Sequence, residues 1–366
     1  MINIIYLLSA LSALVMSFFL TGFIRSFAIK KKILSKLRER DMHTKPVPRL
    51  GGIAIGTSLV IVLFIVGLMF PDVLRFIPED RLGIDRYLLG IILGSILITL
   101  VGIRDDLHDL TPGKQFFWQF VAAGIIITSG IGIDFIRSPW GLIYLNQWTW
   151  QLVTIGNYTY SITLWSDLFT IVWLIVMMNV INWLDGLDGL AAGVTGIAAV
   201  MLFILSLIIG GNPATAILAI VLAGSIFGFL PWNFNPAKIF MGSAGSYLLG
   251  FILAVLAIVS GGKLATAILV LGLPVFDAVW VALRRIISGN SPFKGDRRHL
   301  HHRLVDAGFS VKQSVTLIYL IAFVFGILAL VDANARAKLV LLIWVMAVLV
   351  ILGATTFVLE KKNGKK

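Results

Sequence analysis

Eleven runs of about 20 predominantly apolar residues constrain this 366-residue chain more than any other feature. An α-helix rising about 1.5 Å per residue needs a run of that length to cross the hydrocarbon core of a bilayer. The runs fall at roughly 4–28, 52–70, 87–103, 115–133, 164–182, 189–209, 213–231, 245–260, 264–284, 314–331 and 337–358. With 58% hydrophobic and 13% charged residues, the chain is too apolar for a soluble globule. The expected fold is an all-α polytopic membrane protein of about 11 transmembrane helices, one integral membrane domain over residues 1–366. The first run reads as a retained helix rather than a signal peptide, because lysines follow it instead of preceding it. Between 134 and 163 the alternating stretches GLIYLNQW and NYTYSITLW predict a small extracytoplasmic β-hairpin with aromatic interface anchors.

The basic residues set the orientation. Taken loop by loop, 23 of the 30 Lys and Arg fall on one side and 7 on the other. The positive-inside rule then puts the N-terminus outside and the C-terminus in the cytoplasm. The net charge of +12 reflects the same skew, cytoplasmic loops resting against anionic lipid, and gives no reason to expect nucleic acid. The absence of cysteine excludes disulfides, Cys-zinc sites and thiol nucleophiles together.

A channel or proton-coupled transporter would place paired ionisable residues near the midplane. Here Asp105, Asp106, Asp109, Asp185, Asp188, Asp296, His299, His301 and His302 stand at or beyond span ends, all on the side assigned to the cytoplasm, and Asp277 lies inside a span close to Arg284. In VGIRDDLHDL the adjacent Asp105 and Asp106 suit a divalent metal or a pKa-shifted base, with a hydrated helix terminus as the alternative. In NVINWLDGLDGL, Asn179, Asn182, Asp185 and Asp188 recur every three residues, and all four converge only if the helix breaks, which Gly186 and Gly189 permit. In NFNPAKIFMGSAGS the small residues either free backbone N–H groups to cradle an anion or simply start a helix. The Arg-rich SPFKGDRRHLHHRL suits phosphate better than zinc, a lipid-headgroup patch being the alternative. Carboxylates, cations and glycine turns at one membrane interface together suggest phosphoryl transfer involving a lipid-soluble partner.

Five segments, HTKPVPRLGG (43–52), VGIRDDLHDL (101–110), NVINWLDGLDGLAAG (179–193), NFNPAKIFMGSAGS (233–246) and SPFKGDRRHLHHRL (291–304), resemble in order the motifs of the polyprenyl-phosphate N-acetylhexosamine-1-phosphate transferases. HLHHRL is similar to the bacterial branch that uses UDP-N-acetylglucosamine and starts teichoic acid, O-antigen or related surface glycans; the phospho-MurNAc-pentapeptide branch carries a run of three histidines. The resemblance implies a multi-pass protein of the bacterial inner (cytoplasmic) membrane with its active site on the cytoplasmic side. There, undecaprenyl phosphate attacks the β-phosphorus of UDP-N-acetylglucosamine and UMP leaves. It implies a Mg²⁺ cofactor, with Mn²⁺ as a substitute, and leaves a homodimer open. Asp105, Asp106, Asp185 and Asp188 would be the catalytic acids, and Asp106, Asp188 and position 243 the metal site. Asn179 and Asn182 would line the nucleotide site, Lys45 would lie near the nucleotide, and Asn233 and Phe240 would contact uracil. His299, His301, His302 and Arg303 would hold the sugar and diphosphate.

One position departs from the pattern. The family reads MGD before a small residue and GS, with that aspartate a principal Mg²⁺ ligand, whereas this chain reads MGSAGS with Ser243 in its place. A neutral hydroxyl is a weak ligand for Mg²⁺. Two readings stay open: a transferase disabled by one substitution, and a catalytically silent membrane protein that binds nucleotide sugar or lipid phosphate.

Overall fold

The computed structural model describes residues 2–34, 46–77, 85–155, 158–208, 211–261, 264–287, 289, 299–331 and 335–362. In chain order these form α1 (Ile2–Lys30), α2 (Gly51–Met69), α3 (Arg86–His108), α4 (Pro112–Thr128), β1 (Phe135–Ser138), β2 (Gly141–Tyr144), β3 (Thr149–Ile155) and β4 (Tyr158–Thr163). There follow α5 (Leu164–Leu184), α6 (Leu190–Ile208), α7 (Pro213–Asn233), α8 (Gly242–Val259), α9 (Leu264–Val270), α10 (Gly272–Ile287), α11 (Leu300–Asp306), α12 (Val311–Val331) and α13 (Ala335–Lys362). The protein is thus an all-α polytopic membrane protein with small antiparallel ribbons, as its apolar runs dictate.

Among the described residues nine helices are long and apolar enough to cross a membrane, fewer than the eleven runs. Two runs account for the difference. α4 stops at Thr128 after 17 residues, because the chain turns at Gly130 with φ +94°. The run 264–284 is broken into α9 and α10, bent by 84°. Pro274 explains the break, since its ring collides with the carbonyl four residues earlier and ends α9 at Val270.

α8 is the hub. Every residue from Gly242 to Ile258 is buried, and the helix packs on α2, α3 and α5. Its first turn is approached so closely that a Cβ on Gly52 of α2 would strike the Gly245 backbone, and one on Gly102 of α3 the Ala244 backbone. Larger side chains at these two positions would push the helices apart where the chemistry is sited. α13, by contrast, buries few of its residues, as a lipid-facing helix must.

At the end of the bundle away from the motifs, Asn212 caps α7 by accepting from Ala214 N–H (2.9 Å) and ties in the α2–α3 connection by donating to Arg75 O (2.9 Å). Two ribbons stand here rather than the single expected hairpin, β1 with β2 and β3 with β4. In the second, Trp150 opposes Ile162 and Val153 opposes Tyr160 on one face; Thr149 opposes Thr163 and Gln151 opposes Ser161 on the other. A bulge at Leu152 keeps that phase, placing Leu152 and Val153 together opposite Tyr160. The apolar face is exposed and runs directly into Leu164 and Trp165, exposed at the start of α5.

Candidate active site

The site is built around the N-terminus of α8, where orphan backbone N–H groups attract negative charge. The protein supplies that charge itself. Ser243 N–H donates to Asp106 Oδ1 (2.9 Å), Ala244 N–H donates to Asp106 Oδ2 (3.1 Å), and Gly242 N–H donates to Asp185. The amides expected to cradle a ligand anion are therefore occupied by the chain's own carboxylates. Gly242 is required twice over: its φ is +72°, and a Cβ there would collide with Asp106 Oδ2 and Arg49 O.

The segment before α2 brings the balancing cation. Phe240 N–H donates to Pro48 O (2.8 Å), and Gly51 N–H donates to Phe240 O (2.9 Å), so residues 48–52 run alongside the start of α8. Arg49 Nε then lies 3.5 Å from Asp106 Oδ1, with the Asp106 side chain 1% exposed and that of Arg49 33% exposed. Arg49 is thus a partly exposed cation against a buried acid.

α5 ends at Leu184, and the four polar residues, which converge only if the helix breaks, take partners on different elements. Asn179 Nδ2 donates to Gln119 Oε1 of α4 (2.8 Å), and Asn182 Oδ1 accepts from Ser246 Oγ of α8 (2.8 Å). Asp185 faces the α8 terminus, and Asp188 Oδ2 accepts from Asn235 Nδ2 (2.9 Å) and Ala237 N–H (3.0 Å). Burial pushes the Asp185 carboxyl up to about 7; the negative charges of Asp106 and Asp188 add to this, while Arg49 and the Gly242 amide oppose it. Asn233 acts as a latch, accepting from Gly189 N–H (3.1 Å) and donating to Ile239 O (3.0 Å). Asp105 Oδ1 accepts from Leu110 N–H (2.9 Å) and Gln115 Nε2 (2.8 Å), which holds the α3–α4 turn.

The histidines sit over this loop. Asp277 of α10 accepts from Leu300 N–H (3.0 Å) and pairs with His299 Nδ1 (2.8 Å), so it caps and anchors α11. The rings of His299 and His301 stack with centroids 5.6 Å apart, and His302 lies 4.3 Å from His301. A Cβ on Gly186 would strike His301 Nε2, so the LDGLDG loop and α11 touch only because that residue is glycine. His301 Nε2 is buried with no hydrogen-bond partner, and burial, then His302 and His299, hold its pKa well below the usual histidine range. Arg303 Nη2 donates to Gly353 O of α13 (2.8 Å). Lys45 and residues 291–298 lie outside the described residues.

The family model described as Glycosyl transferase family 4 matches residues 88–261. A Bacillus subtilis (strain 168) protein named "Probable undecaprenyl-phosphate N-acetylglucosaminyl 1-phosphate transferase" is 31% identical over 348 residues, covering 93% of this chain and 88% of that protein. The chain belongs to the polyprenyl-phosphate N-acetylhexosamine-1-phosphate transferase family. Two further family members agree along their length. A Mycobacterium leprae (strain TN) decaprenyl-phosphate N-acetylglucosaminephosphotransferase is 30% identical, covering 86% of this chain and 80% of that protein. A Salmonella typhi undecaprenyl-phosphate alpha-N-acetylglucosaminyl 1-phosphate transferase is 30% identical, covering 94% and 89%.

For a family expected to use Mg²⁺, the donor set here is one anion short. Among the described residues no three His, Cys, Asp or Glu side chains are grouped to hold a metal ion. Both Asp106 oxygens accept amides of α8, Asp188 Oδ2 is held by residues 235 and 237, and Ser243 adds only a hydroxyl. Of the expected trio Asp106, Asp188 and Ser243, two positions carry a carboxylate and the third a neutral hydroxyl.

Reasoning from sequence passed over Arg49, Gln115, Gln119, Asn235 and Tyr319, whose hydroxyl donates to Gly189 O. Arg49 and Asn235 lay inside quoted motifs, whereas Tyr319, on α12, carried no local signal.

Proposed function

We propose that the chain is a UMP-releasing phosphoglycosyl transferase scaffold that takes N-acetylglucosamine-1-phosphate from UDP-N-acetylglucosamine to undecaprenyl phosphate at the cytoplasmic face of a bacterial inner membrane. It would start a surface glycan of the teichoic acid or O-antigen type. The observation that carries this reading is the meeting of four sequence-distant motifs at one helix terminus: Arg49, Asp106, Asp185 and Ser243 surround the start of α8. The names of the relatives supply the donor and acceptor classes.

In this reading the acceptor phosphate, already largely ionised near neutral pH, attacks the β-phosphorus of the sugar nucleotide, the bond to the UMP oxygen breaks, and UMP departs. Arg49 is the mobile cation that turns from Asp106 to the diphosphate. Asp185, with its carboxyl raised to about 7, holds or releases a proton at the acceptor phosphate. His301, kept neutral by burial, offers Nε2 to a sugar hydroxyl or amide beside the Gly186 loop.

A second reading is favoured by Ser243, a neutral hydroxyl where the family pattern has an aspartate: the chain binds these substrates without turning them over. Release of UMP from UDP-N-acetylglucosamine with undecaprenyl phosphate, measured for this chain and for Ser243→Asp, tests both. Activity in the parent supports the transferase, activity only in the variant supports the silent binder, and activity in neither with no substrate binding refutes both.

A further inference from the structure

Tyr247 lies one helical turn, about 6 Å, beyond Ser243 on the same face of α8, on the bilayer side of the acid cluster. Its ring is fully buried and its hydroxyl has no hydrogen-bond partner. An unmet hydroxyl inside a protein is destabilising, so phenylalanine would be the better residue if packing were the only task. The hydroxyl is within electrostatic reach of Asp105, Asp106 and Arg49. Its acidic neighbours are already engaged: Asp105 Oδ1 by Leu110 and Gln115, both Asp106 oxygens by α8 amides. Tyr247 is therefore a donor without an acceptor, behind a helix terminus and beside the cation that pairs with Asp106.

Gln119 repeats the pattern from α4. It too is fully buried, its Oε1 accepts from Asn179, and its Nε2 has no partner. It lies one turn beyond Gln115, which bonds Asp105, and α4 and α8 both pack on α3 and α5. Two unmet donors thus flank the same level of the bundle, one turn into the membrane from the acids.

We propose that the Tyr247 hydroxyl, with the Gln119 amide, donates to a phosphate oxygen of a reacting substrate that enters when Arg49 swings off Asp106. The inference rests on the transferase reading above and adds a substrate contact to it. A fully ionised phosphate oxygen is the acceptor this pair lacks, and it balances the Arg49 charge released from Asp106. Two sources carry that chemistry, the lipid monophosphate and the nucleotide diphosphate. The position on the bilayer side gives the lipid the shorter approach.

The test uses the full chain in detergent, comparing the parent with Tyr247→Phe by thermal unfolding alone and with undecaprenyl phosphate, undecaprenol or UDP-N-acetylglucosamine. The variant is expected to unfold at the same or a higher temperature without ligand, since it loses only an unmet hydroxyl. It is expected to lose about ten-fold in affinity for one phosphate ligand, with undecaprenol unaffected. A loss confined to undecaprenyl phosphate assigns the contact to the acceptor, and one confined to UDP-N-acetylglucosamine assigns it to the donor. Unchanged affinity for both, or a loss accompanied by a lower unfolding temperature, overturns the proposal. A parent that binds neither phosphate ligand overturns the transferase reading and this contact with it, a result distinguishable from failure of the variant alone.

Discussion

Replacing Ser243 with aspartate probes the site most sharply, because it supplies the one anion the cluster lacks. Ser243 is 6% exposed, and its N–H sits 2.9 Å from Asp106 Oδ1. A carboxylate introduced there would stand roughly 6 Å from its nearest acid, and at an effective dielectric of about 20 the repulsion is about 3 kcal/mol per full charge. In EDTA, Ser243→Asp should therefore lower stability by up to about that amount, and by less where Asp185, already pushed up to about 7 by burial and its neighbours, takes up a proton. With millimolar Mg²⁺ the sign should reverse, since carboxylates that repel one another become ligands sharing a dication. The same change should raise turnover: neutralising the diphosphate is worth several kcal/mol, and at about 1.4 kcal/mol per decade this is on the order of 10³-fold. The assay is UMP release from UDP-N-acetylglucosamine with undecaprenyl phosphate, with unfolding temperatures recorded in the same two buffers. If the variant is no less stable than the parent in EDTA, and Mg²⁺ alters neither its melting nor its rate, position 243 is not a metal position and the electrostatic reasoning fails.

The compact HLHHRL segment should favour UDP-N-acetylglucosamine over UDP-MurNAc-pentapeptide, and equal competition by the two in a binding assay would refute that specificity. In this cysteine-free chain, a cysteine at Thr111, in the α3–α4 turn, should resist an impermeant thiol reagent added to intact cells, while one at Trp140, 87% exposed between β1 and β2, should react; the opposite pattern inverts the topology. An environment-sensitive dye on a cysteine at Leu152 should shift to the blue in lipid vesicles while one at Gln151 stays water-like, because the two faces of the β3–β4 ribbon differ; matching spectra would argue against a ribbon lying on lipid. Asp277→Ala should cost on the order of 3 kcal/mol, by breaking a buried pair with His299 and removing the α11 cap, and melting unchanged from the parent would show the anchor to be dispensable.

Much of the framework was legible because hydropathy is local. Each apolar run announces its own helix, and the two runs that depart from a single long helix do so for local reasons as well, a turn after Thr128 and the proline ring at position 274. The five motifs were legible as a set, and their shared side followed from counting basic residues. What could not be read was which polar group meets which. Asp106 and Ser243 are 137 residues apart, and Asn179 and Gln119 are 60 apart; no periodicity encodes such pairs.

Sequence alone determined that this chain must live in a bilayer, with its acids, histidines and glycine turns at one end of a helical bundle. Burying so many apolar residues and so few charges has no other low-energy solution. Only tertiary structure decided the roles within that end. It filled the α8 amides with Asp106 and Asp185, turned Asn233 into a latch, sent Arg303 to α13, made Arg49 the counter-charge and left the Tyr247 hydroxyl unmet. The reason is physical: a polar group in a low-dielectric interior takes whichever partner the packed helices bring within hydrogen-bonding distance, and that choice is made by the crossing of α3, α5 and α8 rather than by any residue's neighbours in sequence.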